Sequence, residues 1–132
     1  MPPELKVGLI GEVEKEVTEQ DTAARWASGL VEAYSTPALV GQIENASVKA
    51  VEKCLENNQT SVGVEVNIKH LAPTPVTMTV KARAELVQID GKRLKFKVEA
   101  WDEKDKVCEG WHSRALVDKS RFADRLAQKA KQ

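Results

Sequence analysis

The sequence predicts an α+β protein in which an antiparallel sheet of about five strands is wrapped around one long central helix. Two observations lead to this prediction. A helical stretch after the Ser35-Thr36-Pro37 corner is apolar over roughly 220° of its circumference, far more than a surface helix needs. Later segments alternate apolar and polar residues with the period of a half-buried strand. Such a helix has to be enclosed, and these strands can enclose it.

Length and charge narrow the possible functions. The 132 residues suffice for one core, so we expect a single domain over residues 1–132. Twenty basic and twenty acidic side chains give a net charge of +0, which disfavours nucleic acid or an anionic membrane as a partner. The sequence has no apolar run of about 18 residues and no signal peptide. We therefore expect a cytoplasmic protein.

The cysteines and histidines do not indicate a metal centre. Cys54 and Cys108 lie far apart without Cys-x-x-Cys spacing, so we interpret them as reduced, packed thiols. The only two histidines lack the spacing of a zinc-binding motif. We expect neither a metal nor a cofactor.

The chain before the central helix is predicted to contain one strand and a connection. Residues 5–18 alternate apolar and acidic side chains, which is typical of an edge strand. Asp21 is positioned to cap a short helical segment over residues 23–27, and residues 22–35 then form a lid-like connection. Three side chains of this connection either cover the core or line a ligand channel: Trp26, Leu30 and Tyr34.

The central helix is predicted over residues 38–58. Pro37 suits its first turn because proline lacks the N–H that would have no partner there. Thr36 or Ser35 can supply the capping hydroxyl. The solvent-facing arc is predicted to consist of Gln42, Asn45, Lys49, Glu52, Lys53 and Glu56.

Two polar residues are predicted to point inward. Glu44 falls on the apolar arc, with Val40 and Val48 one turn to either side. The segment 60–71 alternates so that Val62, Val64, Val66 and Ile68 share one face, and one further step places His70 on that face. Glu44 can instead reach water at the helix edge, and a lone histidine at the end of an apolar row is more often a packed residue. Together they favour a functional site, because inward ionisable groups need partners.

Three further antiparallel strands follow in series. Residues 76–86 alternate, Asp90-Gly91 predicts a hairpin turn, residues 94–100 return, and a charged turn at 102–105 leads to a last strand over 106–117. Gly110 predicts a bulge or a close approach of another backbone. Asp118 or Ser120 caps a final helix with a narrow apolar stripe of Phe122, Ala123 and Leu126.

A long helix enclosed by such a sheet is the hotdog arrangement. The sheet has two unpaired edges, so we expect pairing into a homodimer, which can associate further into a tetramer. Certain motifs resemble the hotdog-fold thioesterases related to fluoroacetyl-CoA thioesterase over nearly the whole chain. They are Ser35-Thr36-Pro37-Ala38-Leu39-Val40 with Glu44, Ser61-Val62-Gly63 with His70-Leu71-Ala72-Pro73-Thr74, Asp90-Gly91-Lys92-Arg93-Leu94, and Gly110-Trp111-His112-Ser113-Arg114.

The resemblance implies hydrolysis of a small or medium acyl-CoA thioester by Thr36, Glu44 and His70 in a pocket at a dimer interface. His70 would act as general base and acid, Glu44 as its partner or as nucleophile, and Thr36 as a positioning or attacking hydroxyl. Free N–H groups after Thr36 would stabilise an oxyanion. Three residues are candidates for substrate binding: Gly63 as a close-approach position, Arg114 as a phosphate contact, and Tyr34.

Other functions stay open at this point. A hotdog module that binds an acyl-CoA or small ligand without hydrolysing it would need the pocket but not the proton chemistry. A hydratase acting on an enoyl-CoA is less favoured, because its acid and base pattern is not found around Glu44 or His70. A purely structural role would leave both inward residues unexplained.

Overall fold

The computed structural model describes residues 2–26 and 29–131 and contains one sheet and two helices of at least three turns. The strands are β1 (Ile10–Glu16), β2 (Gln59–His70), β3 (Thr79–Asp90), β4 (Arg93–Trp101) and β5 (Lys106–Asp118). The helices are α1 (Thr36–Val51) and α2 (Lys119–Ala130), and short 3-10 turns occupy Glu19–Asp21 and Glu52–Cys54. No helix in these ranges is long and apolar enough to cross a membrane.

All neighbouring strands are antiparallel, and their order is β1-β3-β4-β5-β2. The α+β class, the five strands and the central helix are therefore confirmed. β2 pairs with β5 rather than with β3, which follows it in the chain. The two sheet edges are consequently β1 and β2, and β1 is the edge strand that the sequence predicts.

α1 lies on the concave face of the sheet and packs chiefly against β1 and β3. Small residues allow the close approach. Ala82 and Ala84 of β3 are fully buried, and a methyl group on Gly11 of β1 would overlap the carbonyl oxygen of Ala46 in the helix. Burial of Leu39 and Ile43 against this surface supplies the apolar contact that holds the helix in place.

The predicted solvent-facing arc of α1 is wrong at Gln42. This residue is buried, and its side-chain amide donates hydrogen bonds to the carbonyl oxygens of Val13 (3.0 Å) and Val80 (2.8 Å). Its own oxygen accepts one from the hydroxyl of Tyr34 at 2.7 Å. A polar side chain can be buried when its hydrogen bonds are made, and Gln42 ties α1 to β1 and β3 in this way.

α1 also ends earlier than predicted. The α-helix stops at Val51, and after the 3-10 turn the backbone of Leu55 is extended (φ −93°, ψ 148°). The sequence predicts a longer helix because Cys54 and Leu55 continue its apolar arc, and Glu52, Lys53 and Glu56 continue its polar arc. The shorter helix leaves residues 55–58 as the connection into β2.

The connection before α1 does not contain the predicted short helical segment in its described part. Residues 23–26 form turns, and Ala27 lies outside the described residues. The carboxylate of Asp21 instead accepts hydrogen bonds from the N–H and hydroxyl of Thr18, which closes the 3-10 turn. Trp26 and Leu30 are exposed, whereas Tyr34 is part of the core.

A β-bulge in β2 changes which residues face the helix. The register with β5 shifts between Gly63 and Glu65, so Val64 is the extra residue. Ser61 and Gly63 face α1 before the bulge, and Val66, Ile68 and His70 face it afterwards. His70 lies on the inner face as predicted, opposite the buried Cys108 of β5. Val62 lies on the other face, opposite Ala115, because the bulge reverses the alternation.

The close approach predicted at Gly110 is present. This residue has φ +153°, and an added Cβ would overlap the carbonyl oxygen of Asn67 in β2. The hairpin at Asp90-Gly91 is also confirmed, with Gly91 at φ +60° between β3 and β4. The final helix α2 begins as predicted, because the carboxylate of Asp118 accepts a hydrogen bond from the N–H of Arg121 at 3.0 Å.

Candidate active site

The first pair of site residues forms where α1 begins. Ser35 is the capping residue, since its hydroxyl oxygen accepts a hydrogen bond from the N–H of Ala38 at 3.2 Å. The hydroxyl of Thr36 is therefore not used as the cap. It lies 2.8 Å from Nδ1 of His70, at the end of β2. The sequence predictions for Thr36 and His70 thus fall on two side chains that the fold brings into contact.

The environment of His70 suits a general base. The side chain is half-buried, and burial lowers the pKa of His70 below its ordinary value. The ring is consequently neutral at neutral pH. Its Nε2 atom is buried and has no hydrogen-bond partner within residues 2–26 and 29–131. A neutral imidazole with one nitrogen on a hydroxyl and the other unengaged can accept or deliver a proton.

The second group of site residues surrounds Glu44, nearer the middle of α1. Its Oε2 atom lies 3.2 Å from Nη1 of Arg114 and 3.9 Å from Nε2 of His112. The side chain of Glu44 is 39% exposed, so it both points at the sheet and reaches solvent. Its partner is the arginine of β5, 70 positions away in sequence.

Arg114 is buried rather than exposed. Its Nε atom donates a hydrogen bond to the Ser61 hydroxyl at 2.8 Å, and Nη2 donates to the Ser61 carbonyl at 3.0 Å. A buried guanidinium needs such partners because it cannot lose its proton. The phosphate contact predicted for Arg114 stays a prediction. Within one chain the guanidinium donates hydrogen bonds to Glu44 and Ser61.

His112 belongs to the same group, and the sequence reasoning did not single it out. Its ring is buried, with Nδ1 2.8 Å from the carbonyl oxygen of Glu65 and Nε2 3.1 Å from Nη1 of Arg114. The available signal was its position two residues before Arg114 on one strand, which places both side chains on the same face. Burial lowers the pKa of His112, and the neighbouring Arg114 cation adds to this effect.

Gly63 leaves room for the side chains of Glu44 and His112. A Cβ at this position would lie 2.5 Å from Oε2 of Glu44 and 3.5 Å from Cε1 of His112. An open cleft of about 240 Å³ is lined here by Glu44, Gly63, Val64, Glu65, Val66 and His112. The close-approach role predicted for Gly63 is thus a contact with the carboxylate of Glu44.

The two groups are separate within one chain. No hydrogen bond or ion pair joins Glu44 to His70 in the described part of the sequence. Thr36 and Glu44 are eight residues apart on α1, which corresponds to about 12 Å along the helix axis. A substrate held by both groups of one chain would have to span this distance.

The predicted oxyanion site after Thr36 is wrong for the amides that follow it. Pro37 has no N–H, the N–H of Ala38 is bonded to the Ser35 hydroxyl, and that of Leu39 to the Ser35 carbonyl at 3.0 Å. Tyr34 lies behind the site with its hydroxyl bonded to Gln42, so its contact with substrate stays a prediction. Across residues 2–26 and 29–131, no cluster of three or more metal-binding side chains occurs.

Comparison with known proteins assigns the chain to a family. The family model described as fluoroacetyl-CoA-specific thioesterase matches residues 17–120. This chain belongs to that family. The fluoroacetyl-CoA thioesterase of Streptantibioticus cattleyicolor is 36% identical over 98 residues, which cover 74% of this chain and 70% of that protein.

Solved structures show the same fold. The fluoroacetyl-CoA thioesterase FlK matches with a TM-score of 0.91 and 29% identity, covering 96% of this chain and 98% of that one. A thioesterase superfamily member from Thermus thermophilus matches with a TM-score of 0.90 and 26% identity, covering 99% and 96%. A variant of FlK in complex with acetyl-CoA matches with a TM-score of 0.90 and 29% identity, covering 95% and 98%. The hotdog fold predicted from the sequence is confirmed.

Proposed function

We propose that this protein hydrolyses small or medium acyl-CoA thioesters to the free acid and CoA. The observation that carries the proposal is the 2.8 Å contact between the Thr36 hydroxyl and Nδ1 of His70, together with the unengaged Nε2 atom. This is an arrangement for proton transfer. Membership of the thioesterase family and the complex of a relative with acetyl-CoA support the choice of substrate class.

The hydrogen bond between Thr36 and His70 allows two routes. If Nδ1–H donates to the threonine oxygen, Nε2 carries the lone pair and takes a proton from water as that water attacks the acyl carbonyl. If the hydroxyl donates to Nδ1, the threonine oxygen itself is activated for attack. In either route the C–S bond breaks, and the imidazolium returns its proton to the departing thiolate. In the second route the acyl group is then held as an ester on the Thr36 oxygen, and a water molecule, deprotonated by His70, hydrolyses this ester to the free acid while the threonine oxygen recovers its proton.

Glu44 has a complementary role in the proposal. Its carboxylate is held by the buried Arg114 and lies beside the cleft at Gly63. It orients the attacking water or imidazole, or attacks the carbonyl to form an anhydride that water then hydrolyses. Gly63, Arg114 and Tyr34 are proposed as substrate-binding positions, with Gly63 placing backbone close to the thioester.

A homodimer would complete the site. β2 is an edge strand with Val64 and Val66 exposed, and such an edge is usually covered by pairing with another strand. In an antiparallel pair of β2 strands, a two-fold axis midway between residues 66 and 67 would set Gly63 opposite His70 of the partner subunit. Adjacent strands are about 4.8 Å apart. Glu44 of one chain would then approach Thr36 and His70 of the other.

We place this homodimer in the cytoplasm. Cys54 and Cys108 are both free, as expected for a reducing compartment. Cys108 is buried, and burial raises the pKa of its thiol to about 12. It is therefore a packing residue rather than a reactive thiol.

The activity is tested by thiol release from a panel of short, fluorinated, branched, medium and aromatic acyl-CoAs. His70→Ala should lower kcat by about 100-fold or more, and Glu44→Gln should lower it as well. Asn45→Ala, the exposed neighbour of Glu44 on α1, is the control and should behave as wild type. If the wild type binds CoA ligands but hydrolyses none of the panel, the protein is a binding module instead.

A complementation experiment tests the shared site. His70→Ala and Glu44→Gln chains with different tags are co-expressed, and heterodimers are isolated by two affinity steps. One of the two shared sites then regains both residues, so activity should return to about half of the wild-type value. Heterodimers as inactive as both parent homodimers would place each site within a single chain.

A further inference from the structure

We propose that His112 is a positioning residue for hydrolysis: held as the neutral Nδ1–H tautomer, it fixes the Arg114 guanidinium against Glu44. The inference rests on the proposed function, since it assigns the support of that same site. Within residues 2–26 and 29–131, no hydrogen bond or ion pair joins His112 to Thr36 or His70. It acts on the reaction through Arg114.

The tautomer follows from the two partners of the ring. The Glu65 carbonyl oxygen, 2.8 Å from Nδ1, can only accept a hydrogen bond, so Nδ1 carries the proton. The Arg114 Nη1 group, 3.1 Å from Nε2, can only donate, so Nε2 supplies the lone pair. No other assignment satisfies both contacts.

The groups around the ring keep it neutral. Arg114 from the same strand and Glu44 from α1 are the charged groups that face it. β4 contributes Phe96, whose ring centroid lies 6.4 Å from that of His112, and β2 contributes Val66 as its cross-strand neighbour. The ring is buried, so a proton on Nε2 would place a second cation against Arg114 without solvent to screen it.

The Glu65 carbonyl links His112 to the bulge in β2. Glu65 is the first residue whose register with β5 has shifted, and Gly63 before it makes the space for Glu44. One imidazole therefore joins the bulge, the buried arginine and the carboxylate in a chain of contacts. Loss of the hydrogen bond to Glu65 alters the geometry at the bulge, whereas loss of the hydrogen bond to Arg114 alters the geometry at Glu44.

Two conservative variants separate the two hydrogen bonds. In His112→Gln the side-chain oxygen reaches the former Nε2 position and can accept from Arg114. In His112→Asn the amide N–H occupies the former Nδ1 position and can donate to Glu65, but nothing accepts from Arg114. Ser113→Ala is the control, because Ser113 is the next residue on β5 and points to the opposite face.

We expect His112→Asn to lower kcat by about 10- to 100-fold, with a much smaller change in KM, because Glu44 is no longer held. His112→Gln should recover most of this loss, and Ser113→Ala should match the wild type. Equal losses in both folded variants, or a loss confined to KM, would contradict the positioning role.

The tautomer is measured directly by ¹⁵N NMR of histidine-labelled wild-type protein at pH 7. The chain has only two histidines, and the spectrum of His70→Ala, which retains only His112, assigns them. We expect a protonated Nδ1 and an unprotonated Nε2 for His112. The opposite tautomer or a doubly protonated ring overturns the inference, even if the variants fail to fold. A wild type without hydrolytic activity would overturn the proposed function while leaving this spectrum unchanged.

Discussion

The hydroxyl of Thr36 and Nδ1 of His70 lie 2.8 Å apart, although 34 positions separate them in sequence. The contact exists because Ser35, and not Thr36, caps α1. The threonine hydroxyl is thereby left for the histidine at the end of β2. The helix cap and the contact with His70 are thus divided between two adjacent hydroxyl residues.

Thr36→Val and Thr36→Ser test this contact. Valine has the shape of threonine without its hydroxyl, so it should lower kcat by about 10-fold or more. Serine keeps the hydroxyl and should retain most of the activity. Steady-state kinetics on the best acyl-CoA of the panel provide the comparison, and equal rates for the two variants would show that the hydroxyl is dispensable.

Gly63→Ala should reduce activity more than stability. The new methyl group would lie 2.5 Å from the carboxylate oxygen of Glu44, which is the mobile end of a side chain and can move away. Glu44 would then lose its contact with Arg114.

Gly41→Ala is the matched control for this substitution. A Cβ at Gly41 meets nothing within 4 Å, and alanine in a helix is more stable than glycine by about 0.5–1 kcal/mol. Gly41→Ala should therefore keep full activity and resist urea slightly better. Full activity in Gly63→Ala would show that the reaction does not depend on a glycine beside Glu44.

Gln42→Leu should destabilise the fold by about 2 kcal/mol or more, because it removes the amide that donates to the carbonyl groups of Val13 and Val80 and leaves the Tyr34 hydroxyl only its longer hydrogen bond to the Ala38 carbonyl, at 3.3 Å. Urea unfolding followed by circular dichroism measures the change. Asn45→Ala, an exposed residue of the same helix, should unfold at nearly the wild-type urea concentration. A similarly mild effect at Gln42 would mean that water replaces its hydrogen bonds.

Stability should fall as the pH drops below about 6.5. Burial lowers the pKa of both His70 and His112 in the folded state, so between the folded and unfolded values the unfolded chain binds more protons. Protonation consequently favours unfolding in this range. The pKa of Asp102 is also lowered, against its burial, by backbone N–H donors at Lys104 and Asp105, which extends the loss to lower pH.

Urea unfolding at pH 7.5, 6.5 and 5.5 measures this dependence. His112→Gln removes one of the two histidines and should flatten the change between pH 6.5 and 5.5. A variant as sensitive as the wild type would indicate that His112 does not contribute to it.

The sequence predicted the inward direction of Glu44 and His70 because each breaks a regular apolar pattern. It could not identify the partner of Glu44. That depends on the register between β2 and β5, and the register changes at a bulge after Gly63 that the regular alternation of residues 62–68 does not indicate. His112 was missed for the same reason, since its role becomes visible only beside Arg114 and Glu65.

Gln42 shows that the helical pattern can also predict exposure for a residue that is buried. A polar residue on a helical wheel indicates solvent, and only the positions of two strands reveal that its amide bridges their carbonyl groups. The early end of α1 likewise depends on where β2 begins. Neither fact is encoded in the local pattern of the helix itself.

The small residues that α1 packs against make its packing on the sheet asymmetric. Gly11, Ala82 and Ala84 allow one side of the helix to pack closely on β1 and β3, while Glu44 of α1 reaches β5 through its ion pair with Arg114. A larger residue at Ala84 would push α1 away from β3 and thereby change the space around Glu44. The shape of the cleft at Gly63 therefore depends also on residues that do not line it.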